Sequence, residues 1–251
     1  MRWGLSKPLV IGCATMADHF LPGVPPVPLT LRRSGRARRI SLRISQLDGR
    51  VTLTLPNRVP LTEALEFANS KNRWIRDHLN DRLDDVPVTH GAVLPVEGVA
   101  RRIVPAPGRR VMLRPDEIAA PDGAVGPRLK SWLRTLARDR LAATSDHYAD
   151  LLGRPYARIT IRDTRSRWGS CSSQGALMYS WRLILAPPEV LRYVAAHEVA
   201  HLAEMNHSAA FWATVTRLHG PYEAPRRWLH QQGADLHRYR FDPQNQDLEQ
   251  D

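Results

Sequence analysis

The chain has 251 residues, 43% of them hydrophobic and 24% charged, a balance that fits a globular protein and excludes disordered and fibrous classes. Its 36 Lys and Arg against 25 Asp and Glu give a formal net charge of +11, which draws anionic partners in general without selecting one. Cys13 and Cys171 lack the spacing of a disulfide framework or a cysteine metal site, and no apolar run reaches membrane-spanning length, so a reducing cytoplasm is the expected location.

Residues 1–28 read as a flexible extension, proline-rich from Pro22 to Pro28. Within it, Leu9 to Cys13 resembles a lipoprotein cleavage box, but Lys7 and Pro8 leave too short an apolar core for export, and Met16 offers a second start. Residues 29–113 read as an N-terminal α+β region. Ile40, Leu42 and Ile44 alternate with polar residues, as do Val51, Leu53 and Leu55, which predicts two strands turning at Asp48-Gly49. Thr62 is placed to cap a helix carrying Leu65, Ala68, Asn72, Ile75 and Leu79. Prolines and glycines break residues 91–113 into short strands, and residues 114–124 read as a linker.

A second helix is predicted from Gly126, with Leu129, Trp132, Leu133, Leu136 and Leu141 inward and Arg128, Lys130, Arg134, Arg138 and Arg140 mostly outward. Ile159 and Ile161, then Leu177 to Leu185, alternate as two strands joined by a Ser- and Gly-rich loop, which predicts a long hairpin. Pro187-Pro188-Glu189 suits the first turn of a helix whose residues Val190 to Ala203 are apolar around most of its circumference, so that helix is expected to be buried. Ser208 can open another helix through Phe211, Trp212, Val215 and Leu218, a short one follows near Trp228, and residues 242–251 form a polar tail.

The buried helix carries His197-Glu198-Val199-Ala200-His201, an HExxH pattern. Residues four apart share a helical face, so both imidazoles can reach one zinc ion while Glu198 is offset toward a water. A catalytic zinc site needs a third protein ligand and an open position. His207, six residues past His201, fits best; Glu204, Glu223 and His219 compete. The same spacing in the metzincin pattern uses a glycine to leave the helix where this chain has Glu204, so the exit must be made differently, with Asn206 the candidate. Two imidazoles without partners in an apolar helix would be costly to bury, which metal coordination relieves. The loop Arg165 to Ser173 could place donors over the open position to stabilise an oxyanion, the alternative being a basic turn with one packed tryptophan; Cys171 is not expected to be a nucleophile.

Four segments together resemble the YgjP-like metallopeptidase domain family, relatives of gluzincin and SprT-like zinc proteases: Leu31 to Arg43, Arg162 to Ser173, Tyr179 to Pro188 and His197 to Trp212. The resemblance implies an α+β fold with a zincin-like catalytic core over residues 125–241. In it a β-hairpin borders the buried HExxH helix, and a smaller N-terminal β-rich region precedes it. It further implies Zn2+ held by His197, His201 and His207, Glu198 as catalytic acid and base, and Arg167, Trp168 and Gly169 in the substrate cleft. A peptide or protein is the expected substrate. The basic charge keeps a nucleoside triphosphate pyrophosphatase and a nucleic-acid-associated protein with a structural zinc as alternatives. The cluster Arg32, Arg33, Arg36, Arg38, Arg39 and Arg43 is the feature on which the alternatives turn, through nonspecific nucleic-acid contact or phosphate recognition.

Overall fold

The computed structural model describes residues 19–45, 49–80 and 83–242. The chain divides into two compact units, Met1–Arg82 and Leu83–Asp251.

The first unit is a mixed sheet with two helices. β1 (His19–Leu21) lies antiparallel to β2 (Val27–Ser34), while β3 (Ser41–Ile44) lies antiparallel to β4 (Val51–Pro56), and β2 and β4 join in parallel to give the order β1-β2-β4-β3. The two strands predicted by alternation are thus β3 and β4, with Ile44 opposite Val51; Asp48 of their expected turn lies outside the described residues. The proline-rich lead is structured from His19 onward, contrary to a flexible extension running to residue 28. Asn72 donates to the Pro22 carbonyl at 2.9 Å, and Arg76 donates to the carbonyls of Pro22 at 3.1 Å and Pro25 at 3.0 Å, so side chains satisfy the proline carbonyls and hold the segment in place.

The single helix expected after Thr62 is two, α1 (Leu61–Ser70) and α2 (Asn72–Asn80). Pro60 rather than Thr62 precedes the first turn. Ala64, Ala68 and Ile75 pack with Leu53 and Leu55 in one buried cluster, as the apolar spacing requires. All six arginines from Arg32 to Arg43 belong to this unit and are exposed.

The second unit begins with β5 (Val86–Pro87), then β6 (Val93–Val96) and β7 (Val99–Pro105). These last two form a hairpin across Glu97 and Gly98, both at positive φ (52° and 76°), the backbone twist that two-residue hairpin turns favour. β8 (Met112–Leu113) and β9 (Glu117–Ala120) complete a sheet of order β6-β7-β9-β8. Residues 114–124 are therefore not a linker. Ile118, Ala119 and Ala120 are fully buried, and the strands from β6 onward share their core with the helices that follow, which is why the chain divides at residues 82 and 83 and not after 113.

α3 (Val125–Leu152) is the long backing helix; it buries Leu129, Leu133, Ala137, Leu141, Ser145 and Tyr148 and stops at Gly153, whose left-handed φ of 70° suits glycine. A three-stranded sheet follows, made of β10 (Arg158–Arg162), β11 (Gly169–Cys171) and β12 (Ala176–Ser180) in the order β10-β12-β11. The long hairpin predicted from β10 to β12 is replaced by a parallel pair, and the true hairpin is β11 with β12. Alternation is the same in either direction, and residues 163–175 are long enough for the crossover that parallel strands need. Beyond Ser180 the strand gives way to a 3₁₀ turn, Trp181–Leu185, in which every residue is buried. α4 (Pro188–Ala200) then runs through the core, α5 (Ala209–His219) starts at an Ser208 cap and α6 (Glu223–Gln232) follows. A second 3₁₀ turn, Gly233–His237, leads to β13 (Tyr239–Arg240), which pairs with β5.

Candidate metal centre

α4 is buried because Val190, Leu191, Tyr193, Val194, Ala195, Ala196, Val199 and Ala200 leave it almost no polar face. Into that apolar helix the chain introduces His197 and Glu198, with His201 at its end. Helical spacing sets the His197 and His201 rings 5.1 Å apart, and His207, returned by the loop before α5, lies 5.0 Å from the first and 4.9 Å from the second. Each ring offers one nitrogen, and the three nitrogens lie within 4.8 Å of one another. Among the described residues, Glu204, Glu223 and His219 do not join this group.

The exit from α4 needs no glycine. The amides of Leu202 and Ala203 tighten onto the carbonyls of Val199 and Ala200, and His201 Nδ1 bonds the carbonyl of Glu204 at 2.9 Å. With Nδ1 carrying the hydrogen, Nε2 of His201 keeps its lone pair for a ligand. Asn206 then accepts from the Ser208 amide at 3.2 Å, and Ser208 accepts from the Phe211 amide at 3.4 Å, so the bend at Asn206 and the helix cap at Ser208 flank His207.

The donor set suits a cation. His207 Nε2 and His197 Nε2 face each other at 3.0 Å, where two neutral imidazoles can share at most one hydrogen, and His197 Nδ1 is buried without a hydrogen-bond partner among the described residues. Burial, followed by the charges of His201 and His207, holds the His197 ring down at about 3, so it is a neutral lone-pair donor at ordinary pH. Burial likewise lowers His201, against the opposing bond to Glu204. Three imidazoles converging in this way match a borderline divalent ion.

Glu198 is only 6% exposed. Burial pushes its carboxyl up to about 8, with the charge of Arg167 opposing. It is pressed against β11: a Cβ at Gly169 would lie 2.5 Å from Glu198 Oε1 and 2.6 Å from its Cγ. Gly169 is therefore the residue that admits the Glu198 side chain, and Gly169→Ala is expected to cost about 1–3 kcal/mol as an overpacked contact, measured by urea unfolding. A variant as stable as the parent would remove this close approach.

The other residues of the loop divide. Arg167 is exposed and acts on Glu198 through its charge. Trp168 packs inward: a Cβ at Gly233 would lie 3.1 Å from its ring, and His237 sits 5.3 Å away. Cys171 is pushed up to about 11 by burial and by the charge of Glu198, which leaves its thiol protonated and a poor nucleophile. Ser180 N donates to the Trp168 carbonyl at 2.8 Å and Ser172 N to the Ala176 carbonyl at 3.0 Å. By strand alternation the N–H and C=O groups of Gly169 and Cys171 point away from β12, along the open edge of β11.

Two features were beyond reach of pattern reading. Trp212, 5.8 Å from His197 and 5.9 Å from His207, stacks on Tyr222 at 5.0 Å and carries the Arg226 guanidinium 4.7 Å from its ring centre, so an aromatic wall backs the histidines. Arg182, inside the 3₁₀ turn, donates to Asp163 at 2.8 and 3.3 Å and to the carbonyls of Leu236 at 2.9 Å and Tyr239 at 3.3 Å. An arginine in the apolar run WRLIL was the available signal for that clamp.

No curated protein matches the chain. A solved structure, that of the metallopeptidase zymogen of Pyrococcus abyssi abylysin, is similar at 23% identity and a TM-score of 0.33 over 37% of this chain and 95% of that one, too weak a likeness to bear on fold or function. The family model for the YgjP-like metallopeptidase domain matches residues 38–232. Covering well over half of the 251 residues, that match establishes that the chain belongs to the YgjP-like metallopeptidase domain family.

Proposed function

We propose that the protein is a zinc metallopeptidase in which His197, His201 and His207 hold the ion and Glu198 is the general base. The observation that carries this reading is the convergence of three imidazoles beside a buried carboxylate one residue from the first of them. Three protein ligands are the number that a catalytic zinc site uses, whereas a closed structural site takes four. Zinc, when bound there, polarises the scissile carbonyl and makes a water acidic enough to attack at neutral pH.

The chain's own residues do the rest. A Glu198 carboxylate oxygen takes the proton of the attacking water and returns it to the leaving amine. Gly169 leaves room for that side chain, and His201, fixed through Nδ1 to the Glu204 carbonyl, presents its other nitrogen inward. An extended peptide fits the open edge of β11, where Gly169 and Cys171 offer main-chain donors and acceptors beside Glu198. Trp168, by its packing, supports the loop, and the exposed Arg167 is placed to meet substrate.

The test is metal content together with turnover. The purified protein is expected to hold close to one zinc per chain by elemental analysis, and His197→Ala and His201→Ala are each expected to purify largely metal-free and to melt at lower temperature. Full zinc in either variant would move the site elsewhere. Cleavage of casein or a peptide library by the zinc-loaded protein, absent with nucleoside triphosphates, is the expected substrate result.

A further inference from the structure

We infer that the groove between α3 and the outer edge of β10 is a docking site for an extended acidic peptide segment of a partner protein. β10 ends its sheet: it pairs with β12 on one side and with no strand on the other among the described residues. Five residues of strand, Arg158–Arg162, present an edge of about 16 Å, the length of a short added strand. α3 does not close over that edge. A groove of about 580 Å³ separates them, lined by Arg134, Arg138 and Asp139 from the helix and by Ile159, Thr160 and Ile161 from the strand.

The charge of the groove selects its occupant. Arg134 and Arg138, four residues apart, share one face of α3 and line the groove with a single carboxylate, Asp139, while Arg158 and Arg162 stand exposed along β10 outside that lining. Arg134 already reaches across to the Ile161 carbonyl at 3.3 Å. A carboxylate brought alongside would give it a charge-assisted bond, roughly twice as strong as that neutral one. The arginines of β10 itself reject the commonest wrong partner of a strand edge. A second copy of β10 would set Arg158 and Arg162 against their own like charges, the usual protection against edge-to-edge pairing, whereas an acidic strand meets none of that repulsion. A strand added here takes main-chain bonds from β10 and side-chain bonds from the arginines, and neither involves the histidines or Glu198. The docking site therefore does not rest on the catalytic reading.

The experiment uses the full chain and two labelled octapeptides that alternate valine with glutamate or valine with lysine, read by fluorescence anisotropy and by hydrogen exchange. The glutamate peptide is expected to bind at least tenfold more tightly than the lysine peptide, to lose affinity as salt is raised, and to slow exchange of amides within residues 158–162. Arg134→Glu with Arg138→Glu is expected to lower its affinity at least tenfold at unchanged melting temperature; should that pair fail to fold, Arg134→Gln with Arg138→Gln is expected to lower it about threefold. Equal binding of the two peptides, an affinity that the variants leave unchanged, or protection confined to another segment would overturn the proposal. So would tighter binding of a single-stranded oligonucleotide at the same residues, which would make the groove a phosphate track.

Discussion

Glu198→Gln is expected to lower kcat/KM for peptide cleavage by about 100- to 10,000-fold while leaving zinc content unchanged, the usual scale for removing a general base. The substitution keeps the shape that fits against Gly169 but cannot take a proton. Its effect on stability separates a chemical role from a structural one. Glu198 is buried without an ion pair among the described residues, so the neutral amide should melt at the same temperature as the parent or higher, as happens when an active site gives up stability for chemistry. A variant that still cleaves at the parent rate with full zinc would place the proton transfer on another group, and one that loses zinc would make Glu198 part of the metal site's scaffold.

The second large effect is expected at the Arg182 clamp. Arg182→Met should destabilise the protein by about 1–3 kcal/mol, the cost of leaving a half-buried carboxylate and two main-chain carbonyls without their charged donor, read as a lower urea midpoint at unchanged slope. The Arg182 side chain is 9% exposed and that of Asp163 30%, and the guanidinium also sits 4.8 Å over the Trp181 ring. Burial alone would raise the Asp163 carboxyl, but the hydrogen bonds and charge of Arg182, with the Trp181 indole and the charge of His237 nearby, together hold it below its ordinary value of 3.8. The unfolded chain therefore takes up this proton first as the pH falls. The stabilisation is complete at neutral pH and is lost on acidification from about 3.8 downward, so the gap between parent and Arg182→Met should narrow in acid. A gap that stays constant down to strong acid would assign the loss to packing on Trp181 instead of to the ion pair.

The centre was legible because its grammar is local. His197, Glu198 and His201 are fixed by helical spacing alone, and His207 follows within one short loop, so periodicity and ligand chemistry suffice to bring them together. Ser208 as a helix cap and the apolar circumference of α4 were readable for the same reason. What escaped depends on partners distant in sequence. Glu117 to Ala120 reads as part of a linker because four residues are too few to display a period, and only β7 beside them makes a strand. Direction escaped between β10 and β12 because a strand's alternation records which face is buried, never which way its neighbour runs. Arg76 and Arg182 look like surface charges until the carbonyls of Pro22, Pro25, Leu236 and Tyr239 are set around them.

The way the chain leaves α4 bears on how such sites can be found. The imidazole of His201 stops the helix with the same side chain that faces the centre, and what it grips at position 204 is a carbonyl, which every amino acid carries. The identity of residue 204 is thus free where a glycine-made exit would fix it: Glu204→Ala should change neither zinc content nor melting temperature beyond the few tenths of a kcal/mol of a surface substitution. A pattern that demands glycine after the second histidine would pass over this chain. One that asks for a histidine six residues on, followed by a serine or threonine able to cap, would find it.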